Sequence, residues 1–208
     1  MPNWCNNYLE LEHEDPVMIE RAQKAFEEGK LLAEFCPVPE SLHIVAGRVG
    51  DDADAEQKKL LEDTERNLAT HGYGNWYDYC VNEWGTKWDV GADGQATLTS
   101  PNTITMGFDS AWAPPIAAME KFQDLGFKVK LIYWESGMCF AGLYDENGDD
   151  YIDYSNMSAA ELAEEINPEV DECMCIVENL QMWEEENIDI DLDGGVSAVN
   201  EQEQNENK

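Results

Sequence analysis

Twice in this chain a stretch of strand-forming residues runs into a helix start marked by proline, and this repetition limits the folds available to it. Near the N-terminus Asn7-Tyr8-Leu9-Glu10-Leu11-Glu12 alternates after Cys5, the period-two pattern of a strand buried on one face. Asp15-Pro16 then supplies a helix cap and a proline at the first helical position. Val17, Ile19, Ala22, Ala25 and Phe26 follow as an apolar stripe up to Gly29. The pattern returns at 96–108, rich in Thr, Ile and Phe, which predicts a strand pair or one strand with its approach. Pro114-Pro115 opens a helix from Ile116 to Leu125 that Gly126 ends. Lys128 to Glu135 and Met138 to Tyr144 are predicted strands joined at Ser136-Gly137. Tyr151 to Tyr154 is a third, after the turn Glu146-Asn147-Gly148-Asp149. The order strand, helix, strands, helix, strands predicts an α+β sandwich with helices on one face of a mostly antiparallel sheet.

The remaining segments carry weaker signals. Leu31 to Leu42, with Pro37 and Pro39, reads as an extended connection, and Val49 to Glu56 as an acidic loop. Ala55 to Thr70 reads as a polar amphipathic helix ended by His71-Gly72, and Tyr77 to Glu83 as a short aromatic helix closed by Gly85. Ser158-Ala159-Ala160-Glu161 is a capping box opening a helix that Asn167-Pro168 interrupts. A second helix, from Glu169 to about Glu186, places Val170, Cys173, Ile176, Val177, Leu180 and Trp183 on one side. The expected organisation is a main domain over 1–155, an acidic helical extension over 156–190, and an acidic, disordered tail over 191–208.

Charge narrows the function. The chain of 208 residues holds 45 acidic and 12 basic side chains, a net charge of −33. A folded chain of that length exposes roughly 10,000 Å², and so dense a negative field repels phosphate backbones and anionic lipid heads. Direct nucleic-acid and membrane binding are therefore not expected. Residues 131–208 contain 22 acids and a single base, Lys208, so the C-terminal third is the negative pole. With 43% apolar residues and 7 Trp, the chain nevertheless has ample material for a core. No apolar run approaches the ~18 residues of a membrane span, and Met1-Pro2-Asn3-Trp4-Cys5 lacks the features of a signal peptide, so a cytoplasmic location is expected.

No motif assigns catalysis. The six cysteines have no pair separated by two residues, which favours reduced structural thiols, and His13, His43 and His71 stand alone. There is no Gly-rich phosphate loop, no Gly-x-Ser-x-Gly turn and no spaced His and carboxylate set. The expectation is a protein that is not an enzyme and needs no cofactor.

Four motifs, in order, carry a resemblance. They are Pro2-Asn3-Trp4-Cys5-Asn6-Asn7, Trp84-Gly85-Thr86-Lys87-Trp88-Asp89, Phe108-Asp109-Ser110-Ala111-Trp112 with Pro114-Pro115, and Tyr133-Trp134-Glu135 followed by Phe140-Ala141-Gly142. Over about residues 1–155 the chain resembles the YubB-like, or Api-like, ferredoxin-like domain family of phages and conjugative plasmids. The resemblance implies a ferredoxin-like sheet in a mobile-element protein and carries no established activity.

Three groups of residues stand as site candidates. Asn3, Trp4, Trp84, Lys87, Trp88, Asp109 and Trp112 combine large rings with polar groups and can line a pocket, or can be core indoles with Asn3, Thr86 and Asp109 as acceptors. Lys87 is expected to pair with Asp89 or Asp109. Asp171, Glu172, Glu178, Glu184, Glu185 and Glu186 form an acidic stripe, in which Asp171, Glu178 and Glu185 recur every seven residues, about 10.5 Å on a helix. Asp189, Asp191 and Asp193 open a sequence matching the first nine positions of an EF-hand loop. Position twelve is Asn200, where a bidentate Glu belongs. Weak calcium binding and an ordinary acidic linker both remain open there.

The charge favours an inhibitor or adaptor that binds a basic protein surface. Carboxylates on a rigid fold can stand in for backbone phosphates, which recur at one charge per ~1.7 Å of duplex axis. The leading expectation is thus a phage or plasmid counter-defence protein, a DNA mimic aimed at a basic, nucleic-acid-binding host protein. The alternative is a small-molecule or nucleotide-binding regulatory domain that uses the Trp-rich sheet face.

Overall fold

The computed structural model describes residues 3–47 and 54–194, with side chains through Asn187. Residues 195–208 of the expected disordered tail, and most of the expected loop at Val49 to Glu56, lie outside the described residues, whereas residues 191–194 are helical rather than disordered.

The first strand, β1 (Trp4–Glu12), leads into α1 (Pro16–Glu27). The Asp15 carboxylate caps α1 by accepting from the Val17 N–H at 3.0 Å. Next come α2 (Leu31–Phe35), a 3-10 turn (Glu40–Leu42), α3 (Ala55–His71) and α4 (Trp76–Glu83). A hairpin of β2 (Gln95–Ser100) and β3 (Thr103–Ala111) follows, then α5 (Ile116–Asp124) and the meander β4 (Lys128–Glu135), β5 (Phe140–Asp145) and β6 (Gly148–Asp153). The chain continues through α6 (Ala159–Glu165), α7 (Pro168–Met174) and α8 (Ile176–Gly194).

The strands form one six-stranded sheet in the order β2-β3-β1-β4-β5-β6, and every neighbouring pair is antiparallel. β1 is central, with Tyr8 opposite Gly107 of β3 on one side and Ile132 of β4 on the other. Because side chains alternate across a strand, the two faces bury different sets. Leu9, Leu11, Ile104, Met106, Val129 and Leu131 pack under Ile19 and Phe26 of α1, Leu31 and Leu32 of α2, and Met119 and Phe122 of α5. Helices α1 and α5 therefore share a face.

The other face is covered too, but only in part. Ile132, Ala141 and Leu143 form a second core with Leu162 of α6, Ile166, Val170 of α7 and Ile176 of α8. Helices thus lie on both faces rather than on one, and those on the second face sit over β4 and β5. Among the described residues the outer surface of β1, β3 and β2 stays open.

Two local expectations are corrected. The segment from Leu31 is helical through Phe35 rather than extended, because its N-terminus is capped from outside the segment by Asp89. The helix expected from Glu169 to about Glu186 is two helices, broken where Cys175 takes a left-handed conformation with φ 54° and ψ 42°. Among the described residues no helix is long and apolar enough to cross a membrane.

Candidate functional site

The open half of the sheet presents the even-numbered residues of β1. Trp4, Asn6 and Tyr8 project from it while Cys5, Asn7 and Leu9 point into the core. Their cross-strand partners on β3 are small or polar: Ala111 faces Trp4, Asp109 faces Asn6, and Gly107 faces Tyr8. A Cβ at Gly107 would meet nothing within 4 Å, so the glycine leaves open floor beside the tyrosine ring. Asn6 Nδ2 donates to Asp109 Oδ1 at 2.7 Å across the strands. The result is a cleft of about 670 Å³, lined by Trp4, Asn6, Tyr8 and Asp109 on the sheet, by Trp88 and Asp93 on one side and by Met174 of α7 on the other.

The wall carrying Trp88 is pinned at two points. Asp89 accepts from the N–H groups of Leu32 at 2.7 Å, Ala33 at 2.9 Å and Val90 at 2.9 Å. Burial pushes its carboxyl above the usual carboxylate range while these three bonds pull it back. Two residues on, Gly91 has φ 118°, and a Cβ there would lie 2.0 Å from the Phe26 carbonyl oxygen. Only glycine fits, and Ala92 N–H then donates to that same oxygen at 2.8 Å. The loop is thereby locked to α1 and α2, and Trp88 stands 6.0 Å from Trp4 between ring centroids.

Behind Trp88 lies a second aromatic group. The Lys87 ammonium is 4.5 Å from the ring centroid of Trp88, 5.2 Å from that of Trp112 and 5.7 Å from that of Tyr77. Among the described residues Lys87 makes no ion pair. The expected partners are committed elsewhere, Asp89 to the start of α2 and Asp109 to Asn6, which corrects that expectation. Trp112 is held at φ 70°, with its N–H donating to the Asn3 carbonyl at 2.9 Å.

The candidate pocket residues accordingly divide. Trp4, Trp88 and Trp112 are 47%, 40% and 41% exposed, whereas Trp84 is core, its indole N–H donating to the Cys36 carbonyl at 2.8 Å. Thr86 Oγ1 donates to the Ala111 carbonyl instead of accepting from an indole. Asn3 sits at the β4–β5 turn, where a Cβ on Gly137 would approach its amide to 3.2 Å. Tyr8, Asn6 and Tyr77 were not foreseen. Alternation from Trp4 points to Asn6 and Tyr8, while Tyr77 has no local signal.

The acidic stripe is partly occupied in holding the helices. Asp171 accepts from the Val177 N–H at 2.8 Å and Glu184 from the Ala159 N–H at 2.9 Å. Glu172, Glu178, Glu185 and Glu186 are exposed. The break at Cys175 puts Asp171 on a different helix from Glu178 and Glu185, so the seven-residue spacing does not run along one axis. The side chains of Asp189, Asp191 and Asp193 lie outside the described residues, and their backbone falls within α8. Among the described residues no group of three or more His, Cys, Asp or Glu is placed to hold a metal ion. The six cysteines are free, and burial pushes the Cys5 and Cys80 thiols up to about 12.

No family model and no curated protein matches the chain. Among solved structures, a protein Api92 from Yersinia pseudotuberculosis, assigned to the domain family DUF1281, is similar at 11% identity. The likeness covers 74% of this chain and 99% of that one, with a TM-score of 0.39.

Proposed function

We propose that the protein is a non-catalytic inhibitor or adaptor that takes a basic segment of another protein into the cleft on the open half of its sheet. The observation that carries this reading is the lining: Trp4, Tyr8 and Trp88 lie beside Asp93 and Asp109, and none of the described lining residues is Lys or Arg. A guanidinium or ammonium laid on an indole face with a carboxylate in reach gains a cation–π contact and a charge-assisted hydrogen bond together. The net charge of −33 draws such a partner in from a distance.

We infer further that the frame is ferredoxin-like, with β5 and β6 as additions. The order β2-β3-β1-β4 and the shared face of α1 and α5 support it. Counter-defence by DNA mimicry is the narrower form of the proposal, supported by the net charge alone. A cytoplasmic site of action suits six unpaired thiols.

The test is a titration with a synthetic Arg- and Gly-containing peptide at low and moderate salt. Trp4→Ala with Trp88→Ala should weaken binding about tenfold or more, the loss of two exposed cation–π contacts. Asp93→Asn with Asp109→Asn should flatten the salt dependence. Equal affinity in all variants removes the cleft and leaves Glu172, Glu178, Glu185 and Glu186 as the contact surface. The cleft volume of about 670 Å³ also lies in the range of small-ligand pockets, which keeps a small-molecule or nucleotide ligand as the second reading, a nucleotide having to overcome the carboxylates of the lining. ATP and AMP in the same assay distinguish it.

A further inference from the structure

We propose that Tyr77, Trp88 and Trp112 form a cage for a quaternary ammonium group, with Lys87 as its built-in occupant. The cage is separate from the cleft apart from Trp88, which borders both, and the inference does not rest on the cleft reading. Three rings surround one cation, at 4.5, 5.2 and 5.7 Å from their centroids. Tyr77 and Trp112 stand nearly at right angles, 82° between planes with centroids 6.4 Å apart. Walls at a right angle suit a rounded ammonium better than a flat guanidinium, which prefers to lie parallel to a ring.

Backbone strain at Trp112 supports the assignment independently. A bulky residue at φ 70° is an outlier for an L-amino acid. Core burial does not explain it, because Trp112 is 41% exposed. The turn is held by the Trp112 backbone N–H donating to the Asn3 carbonyl, and the conformation leaves the indole 5.2 Å from the Lys87 ammonium.

Lys87 is a weak occupant for chemical reasons. A primary ammonium is compact and strongly hydrated, and a cage with open walls removes part of that hydration without replacing it by a carboxylate. A trimethylammonium carries its charge on methyl groups that contact ring faces and sheds less water. Lys87 has a flexible four-carbon stem and no ion-pair partner among the described residues, so it can swing out when such a group enters. The chemistry is shared by free choline and by a trimethyllysine side chain of a partner protein.

The experiment titrates the full chain with choline chloride and with a short trimethyllysine peptide at constant ionic strength, read by calorimetry and indole fluorescence. Lys87→Ala should bind choline or the peptide about three- to fivefold more tightly than wild type, the factor that losing one exposed cation–π competitor corresponds to. Adding Trp112→Gly should abolish that binding without unfolding the protein, because glycine suits the left-handed backbone. The neutral isostere 3,3-dimethyl-1-butanol should not bind. Choline binding alone assigns the cage to small ammonium ligands, and peptide binding alone assigns it to a modified lysine. The same affinity with and without Lys87, retention of binding after Trp112→Gly, or equal binding of the neutral isostere overturns the proposal. Trp4, Tyr8, Asp93 and Asp109 are untouched in these variants, so failure here leaves the cleft test unaffected.

Discussion

Glu83 joins α4 to α5: its carboxylate accepts from the Tyr73 hydroxyl and from the Lys121 ammonium. Lys121 first, then Tyr73, holds the carboxyl below its ordinary value of 4.5. For a carboxylate with a lowered folded-state pKa, the stabilisation is complete above the unfolded value and disappears as pH falls through the folded one. Glu83→Gln should therefore cost about 1 kcal/mol at neutral pH, a figure kept small because both side chains are partly exposed. The difference from wild type should shrink as pH falls below the ordinary carboxylate value and vanish once the folded-state carboxyl is protonated. Urea denaturation of both proteins at neutral and acid pH measures it, and a gap that persists in acid contradicts the pairing. Such residues were hard to read from sequence, where Glu83 is one acid among 45. The same holds for Asp89: its neighbours suggested an ion pair with Lys87, but its partners are backbone N–H groups more than fifty positions away.

At the scale of elements, what was legible depended on whether a signal was local. The Asp15 cap with Pro16, the alternation of β1, the Ser158 capping box and the stop at Gly72 all work within a few residues, and the corresponding elements form there. α2 was missed because five residues beside two prolines have no intrinsic claim to be a helix. The α7–α8 break was missed because cysteine does not advertise a left-handed conformation as glycine does. Relief of that strain gives a prediction. Cys175→Gly should stabilise the protein by about 0.5–1 kcal/mol, visible as a higher thermal midpoint. A lower midpoint would mean that the Cys175 side chain contributes packing that outweighs its backbone strain.

For the whole molecule, the surplus of 33 negative charges means that folding brings like charges together. The seven ion pairs among the described residues engage seven basic residues, too few to offset the excess. Raising sodium chloride from about 20 mM to about 500 mM should raise the thermal midpoint, since screening weakens this repulsion more than it weakens exposed pairs. A midpoint that falls with salt would show that local pairing dominates. Net charge was legible from sequence at once, but the open cleft was not, because it depends on α6 to α8 covering β4 and β5 and stopping short of β1. The two borders of the sheet also differ in kind. β6 carries Asp149, Asp150 and Asp153 along its six residues, whereas Gln95-Ala96-Thr97-Leu98-Thr99-Ser100 of β2 carries no charge at all. A foreign strand approaching β6 meets carboxylates, while one approaching β2 meets, among the described residues, an uncharged edge with a bulge at Leu98 and Ser100 and Pro101 just beyond. The two edges of the sheet are thus unequal in charge, so a strand of either sign can approach β2, whereas β6 selects for a basic one.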